Sequence, residues 1–359
     1  MIWSRYPAVN GHLDHPYGRN WKDICDLVNP TLAYLVGASS PDEVACTGSL
    51  TINLHLMMTT FYHMYAFTSQ AKLHGLDPKD ALLMMSPRPG EYTLRTEDIL
   101  STIHRESIAL IIFPGVQLYT CQVFPMKQIT TVGHQYGCVV GFKLAPAVGN
   151  IVLELNSWKV DFDCWCSYKY LNAGPGAIAG IFLHEDWFND STKIGGPNGQ
   201  PCLAGWLGHH ADTSPKIFSV VSLLLFLQLF ASYPGGMVSL RSRSEELISY
   251  LEICLNSSKF YIDLNLISKD EVESDDYSKT GDQGSQLSLL FLPKGKQILK
   301  RVFNNLVKIH GVIGNEREPD VLRLSPVALY NSFEDCRKAC EALDSVLSSI
   351  TLKKKKDPP

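Results

Sequence analysis

The chain has 359 residues, 45% of them hydrophobic and 19% charged, with a formal net charge of −4. That length holds one large or two medium domains with a sizeable core. The ordinary composition excludes a disordered or fibrous class, and the lack of a basic face argues against nucleic acid as a partner.

Met1–Pro7 has no continuous apolar stretch of the kind a secretory leader carries. The ten cysteines therefore read as reduced thiols of a cytoplasmic protein. Cys164 and Cys166 lie two apart on one strand face, and no metal site is expected.

In chain order, the first clear element is a helix from Thr96, read as its N-cap, through the acids Glu97 and Asp98 to about Arg105. Ser107–Phe113 is a short apolar run ended by Pro114-Gly115, which predicts a buried strand. Met126–Tyr136 reads as a helix and Cys138–Phe142 as a second buried strand. A strand through Val160–Ser167 follows, then another at Ala177–Leu183. Continuous apolar strands in strand–helix–strand order predict an α/β domain around a mostly parallel sheet.

Ile217–Ala231 is strongly apolar but shorter than the roughly 20 residues that cross a membrane. It reads as a buried or interface helix, and no membrane partner is expected. After Pro234-Gly235-Gly236 the texture changes. Ser242–Asn256 predicts an amphipathic helix with a Leu247, Tyr250, Leu251 and Leu255 stripe. Ser268–Ser285 reads as a surface loop, Leu287–Leu292 as a strand and Lys296–His310 as a helix. Val321–Leu324 reads as a strand, and a last helix runs from the N-cap Ser332 to about Ile350. Lys353–Lys356 opens a solvated tail. The expected division is an N-terminal segment 1–30 contributing to a pocket and to the smaller domain, a large α/β domain 31–236, a smaller α+β domain 237–352, and a basic tail 353–359.

Lys169 carries the most chemistry. On the strand before it, Val160, Phe162, Cys164 and Cys166 share one parity, and Asp161, Asp163, Trp165 and Ser167 the other. A lysine just past such a strand points toward the crevice at a sheet's carboxyl edge, where ligands bind. Desolvation there lowers its pKa and suits the amine to a Schiff base with pyridoxal phosphate. By pattern alone it reads first as an ordinary strand-end lysine.

The neighbouring blocks weigh on that choice. Leu50-Thr51-Ile52-Asn53-Leu54-His55-Leu56, Leu94–Leu100, Val160–Gly174, Gly205-Trp206-Leu207-Gly208-His209 and Arg323–Phe333 together resemble the kynureninases. These are pyridoxal 5'-phosphate hydrolases of the aspartate-aminotransferase fold, and the resemblance covers nearly the whole chain. It implies cleavage of the Cβ–Cγ bond of L-kynurenine or 3-hydroxykynurenine to alanine and anthranilate or its 3-hydroxy form. That reaction belongs to tryptophan catabolism on the way to NAD. It also implies a homodimer with the active site at its interface.

Carried over residue by residue, Lys169 is the Schiff-base lysine and proton shuttle. Tyr168 contacts the cofactor phosphate and takes part in proton transfer. Leu50 and Thr51 offer donors to the phosphate at a helix N-terminus. Trp206 lines the pocket near the phosphate from across the dimer interface. Arg323 pairs with the substrate α-carboxylate as a guanidinium fork, and His12 abuts the substrate aryl group.

The chain also departs from the family pattern. In Gly141-Phe142-Lys143-Leu144-Ala145-Pro146, Lys143 stands where the family has the aspartate that keeps the pyridine nitrogen protonated, and Pro146 where it has a histidine. Pro114 replaces a serine. Family segments are missing around Phe61–Gln70 and between His209 and Ile217. A lysine at 143 disfavours the pyridinium by like charge and weakens the electron sink. The alternative reading is therefore a catalytically impaired member acting as a binding or dimerisation partner.

Overall fold

The computed structural model describes residues 24–60, 66–73, 75–174, 176–187, 220–260, 284–291 and 298–356. They divide into two compact units. One holds the described residues up to Gly115 together with those of Phe124–Met237, the other Val116–Val123 with those from Val238 on.

The first unit is built on a five-stranded sheet. In chain order it contains α1 (Ile24–Val36), β1 (Val44–Cys46), α2 (Leu50–Thr60), α3 (Ala66–Leu73), α4 (Pro78–Ala81) and α5 (Thr96–Arg105). Then come β2 (Leu110–Pro114), α6 (Met126–Gln135), β3 (Val139–Lys143), β4 (Phe162–Cys166), β5 (Ala179–Leu183) and α7 (Val220–Ser232). The strand order is β1-β5-β4-β3-β2. β2, β3 and β4 run parallel, while β5 lies antiparallel to both β4 and β1.

The parity read from the β4 sequence is present, but both faces are buried. Leu54 of α2 packs on Cys164, with Ile112 and Ile181 beside them. On the opposite face Phe142, Asp163, Trp165 and Phe182 are fully enclosed. There α6 approaches so closely that a Cβ on Gly133 would lie 2.5 Å from Val140 Cγ2. A sheet covered on both faces explains why every residue of β4 is buried. β5 is antiparallel because no helix intervenes between it and β4, and a parallel neighbour needs a crossover. Gly180 leaves room for the β4 indole: a Cβ there would lie 2.3 Å from Trp165 Cε2.

Two further devices fix the frame. Asp161, just before β4, accepts from Val140 N at 2.7 Å and Trp187 Nε1 at 2.8 Å, and bonds to His134 Nε2 at 2.8 Å. At the end of α1, Gly37 takes φ +67 while Ala38 N donates to Ala33 O at 2.9 Å. A side chain there would meet Glu154 Cα at 2.4 Å, so backbone conformation and close approach both demand glycine.

The second unit contains α8 (Gly236–Asn256, its first two residues still in the first unit), β6 (Leu287–Leu290), α9 (Ile298–Asn305), β7 (Asn315–Arg317), β8 (Val321–Leu324) and α10 (Phe333–Lys356). β8 is central in an antiparallel β6-β8-β7 sheet. Leu287, Leu322 and Leu324 point to one face and pack with Leu247, Leu251 and Leu255 of α8, Leu299 and Val302 of α9, and Leu343 and Val346 of α10. Ser332 caps α10: its Oγ accepts from Asp335 N at 3.3 Å, and Asp335 Oδ2 accepts from Ser332 N at 2.9 Å.

Several expectations are corrected. Arg95, not Thr96, is the N-cap of α5, and no side-chain hydrogen bond caps that end. β2 begins at Leu110 and keeps Pro114, which pairs with Lys143; an edge strand tolerates proline. The helix expected over Lys296–His310 is described from Ile298 and passes at Leu306 into a wider π-type turn ending at Gly311. Ser285, read as the end of a surface loop, is buried against Ser244. The helix α10 continues through Lys356, past the expected end near Ile350. Of the apolar segment, residues 220–231 are helical, and no described helix is long and apolar enough to cross a membrane.

Candidate active site

The carboxyl ends of β2, β3 and β4 lie along one sheet edge, as parallel register requires. Beyond β4 the chain folds into a tight turn. Ser167 is buried, and its Oγ donates to Ile178 O. Ala173 N closes on Ser167 O at 3.0 Å, and Asn172 N on Lys169 O at 2.9 Å. Asn172 adopts φ 55, a left-handed conformation that asparagine tolerates, and its Nδ2 holds Tyr170 O at 2.8 Å. Tyr170 and Leu171 anchor the turn in the interior. Lys169 is left half-buried at the edge, with Tyr168 51% exposed beside it.

The Tyr168 phenol is held above the usual tyrosine range, first by its hydrogen bond with Cys166, then by that group's charge and by burial. It is therefore a protonated donor at neutral pH.

The start of α2 reaches the same edge. Cys166 pairs with Ala179 on β5, while Thr47 N donates to Ala179 O at 3.0 Å and Ala179 N to Gly48 O at 3.2 Å. Ser49 caps the helix, its Oγ accepting from Ile52 N at 3.3 Å. Asn53, fully buried, ties the first turn down by donating to Thr47 O at 2.9 Å and Gly180 O at 3.4 Å. Leu50 and Thr51 are the first two residues of this helix, where backbone N–H groups have no intrahelical acceptor. Such a terminus suits a phosphate.

The structure thus brings Leu50, Thr51, Tyr168 and Lys169 to one edge of one sheet. Arg323 lies in the second unit, on β8, 9% exposed, with Nη1 donating to Leu118 O at 3.0 Å. His12 and Trp206 fall outside the described residues. Two edge features were not foreseen from sequence: the Ser49 cap and the Asn53 anchor. The signal was there in Ser49 standing immediately before an apolar helix start.

Lys143 is the last residue of β3 and pairs with Cys164. Its side chain is therefore on the α2 face, and among the described residues the ammonium has no ion pair or hydrogen bond. Pro146 is buried in the following turn, its carbonyl accepting from Asn150 Nδ2 at 2.8 Å. The helix N-terminus and the half-buried lysine fit a phosphorylated aldehyde; the unpaired Lys143 departs from the carboxylate that a pyridinium requires.

Residues 240–343 match the model of the kynureninase C-terminal domain. The chain is 39% identical to the kynureninase of Eremothecium gossypii over 97% of its own length and 85% of that protein's. It is 40% identical to that of Mus musculus over 95% and 79%, and 37% identical to that of Saccharomyces cerevisiae over 96% and 86%. The first of these alignments runs to 400 positions, more than the 359 residues of this chain, so the relative carries residues that this chain lacks within the matched range.

Among solved structures, a C-DES mutant with glycine covalently linked to its PLP cofactor superposes with TM-score 0.72 at 15% identity, covering 95% of this chain and 90% of that one. The alanine–glyoxylate aminotransferase of Nostoc sp. gives 0.68 at 17%, covering 94% and 89%. These likenesses establish the aspartate-aminotransferase fold. The chain belongs to the kynureninase family of pyridoxal-phosphate enzymes.

Proposed function

We propose that this protein hydrolyses the Cβ–Cγ bond of L-kynurenine or 3-hydroxykynurenine, releasing alanine and anthranilate or 3-hydroxyanthranilate. Beyond family membership, one observation carries the reading: an open helix N-terminus and a half-buried lysine share one sheet edge. Pyridoxal phosphate supplies an imine-forming aldehyde and a ring that draws electrons from the substrate Cα.

Leu50 and Thr51 hold its phosphate through first-turn N–H groups and the Thr51 hydroxyl. Tyr168 Oη, protonated at neutral pH, adds a donor there and can pass a proton. Lys169 Nζ would hold the cofactor at its aldehyde end and would be the base that moves the substrate Cα proton. Arg323 grips the substrate α-carboxylate, Trp206 lines the phosphate end from a second subunit, and His12 meets the aryl group. Two copies pair, and the protein works in the cytoplasm.

Lys143 is the weak point. Its positive charge opposes a protonated pyridine nitrogen, so turnover is slow compared with relatives that carry a carboxylate there. The test is anthranilate release, followed by its fluorescence, from the full chain with saturating cofactor and L-kynurenine. Slow release that Lys169→Ala abolishes is the expected result; no release from the parent chain overturns the assignment.

A further inference from the structure

One face of the β6-β8-β7 sheet packs on the apolar core, and the other carries Ser288, Asn315, Arg317 and Arg323 beside Leu290 and Val321. Antiparallel pairing sets Ser288 opposite Arg323 and Asn315 opposite Arg323, with Arg317 opposite Val321. Residues of like parity share a face, so Arg317, Arg323 and Ser288 point the same way. Arg317 and Arg323 are diagonal neighbours, a spacing that long side chains span. Ser325 continues the parity one step beyond β8.

Val116–Val123 lies over this face. Leu118 O accepts from Arg323, Tyr119 O accepts from Ser288 Oγ at 2.5 Å, and Cys121 Sγ lies 3.1 Å from Ser288 Oγ. Cys121 itself adopts φ 69 and is buried.

The face is stocked with donors that have nothing to donate to. Arg317 Nε, Arg323 Nε and Ser325 Oγ are all buried without a hydrogen-bond partner among the described residues. Neither guanidinium has a carboxylate partner there. Burial and then the charge of Arg323 pull Arg317 below the usual guanidinium value, whereas burial pushes the Cys121 thiol up despite both arginines. Two guanidinium groups that share a face, each with its Nε buried and no counter-charge among the described residues, are destabilising unless an anion completes them. A planar guanidinium fork matches a carboxylate in shape.

We propose that Arg317 and Ser325 join Arg323 in a single carboxylate subsite, occupied by the α-carboxylate of the amino-acid substrate. The identity of the occupant rests on the function proposed above; the subsite itself does not. Arg317 is then a specificity-determining residue: it strengthens the hold on a carboxylate over an uncharged isostere. Lost uniform binding raises KM with little change in kcat.

The test uses the full chain with added cofactor and a probe that lacks an amine, 3-benzoylpropanoate, against its neutral amide, 3-benzoylpropanamide, by titration calorimetry. The carboxylate is expected to bind about tenfold or more tighter than the amide, as for hydrogen bonds to a charged group. Arg317→Gln should erase most of that preference, Arg317→Lys should keep part of it, and circular dichroism confirms that both fold. Equal affinity for the two probes, no binding of the carboxylate, or an unchanged preference in Arg317→Gln overturns the subsite. If the preference stands while the parent chain releases no anthranilate, the subsite survives and the proposed reaction falls.

Discussion

Replacing Asp163 by alanine should stabilise the first unit, by an amount that grows with pH. Asp163 is fully buried on β4, opposite Phe142 and Phe182. Among the described residues neither carboxyl oxygen has a hydrogen-bond partner, and the nearby Phe142 backbone does not offset burial, which holds its pKa well above the usual carboxylate value of 3.8. An unsatisfied buried group costs about 1–3 kcal/mol, and the carboxyl-sized void left by alanine costs about 1 kcal/mol. Near pH 4 the gain is therefore about 0–2 kcal/mol.

Above that pH the folded chain keeps a proton that the unfolded chain has released, so stability falls as pH rises. The loss is about 1.4 kcal/mol per pH unit until the raised folded value is passed. Asp163→Ala removes it. Urea denaturation followed by circular dichroism, from about pH 4.5 to about pH 7.5, should show an advantage that widens with pH. Asp163→Asn should track the alanine variant at a constant offset. An alanine variant less stable than the parent throughout, or an advantage independent of pH, refutes the reasoning.

Three other outcomes are expected. Gly37→Ala should lower stability by more than about 1 kcal/mol, measured by thermal melting, because it meets both a left-handed φ and the Glu154 backbone. Ser332→Ala removes an N-cap and should cost the second unit about 1 kcal/mol in urea, with Ser332→Asp retaining most of it. Lys143→Asp should raise kcat for anthranilate release, each 1.4 kcal/mol of barrier removed being worth about tenfold.

What could be read from sequence follows from how local the signal is. β3, α6, α8 and α10 carry their own periodicity, and Lys169 was placed by the strand before it and the turn after it. β1 is too short to announce itself, and β7 is both short and polar: Asn315-Glu316-Arg317 reads as loop. The same polarity hid Arg317, although its parity with Arg323 across a short connection was a usable clue. Val116–Val123 belongs with the second unit through contacts to β6 and β8 far along the chain, which no local pattern encodes. The alternation around Asp163 has the same limit: taken alone it suits a half-solvated strand, whereas α2 and α6 cover both faces of the sheet.

Lys143 and Asp163 invite a tempting pairing: a carboxylate lost from one strand and gained on its neighbour. The register rejects it. Lys143 pairs with Cys164 and Asp163 with Phe142, so the two side chains leave opposite faces of the sheet. The influences on Asp163 are burial, the Phe142 backbone and Asp161, with none from Lys143, and a protonated acid has no charge to offer an ammonium. Asp163 therefore does not compensate for Lys143. A double-mutant cycle of Lys143→Asp and Asp163→Ala, read by urea denaturation, should give a coupling within about 0.5 kcal/mol. Coupling above about 1 kcal/mol would show that the two groups sense each other through the sheet, and the pairing would have to be reinstated.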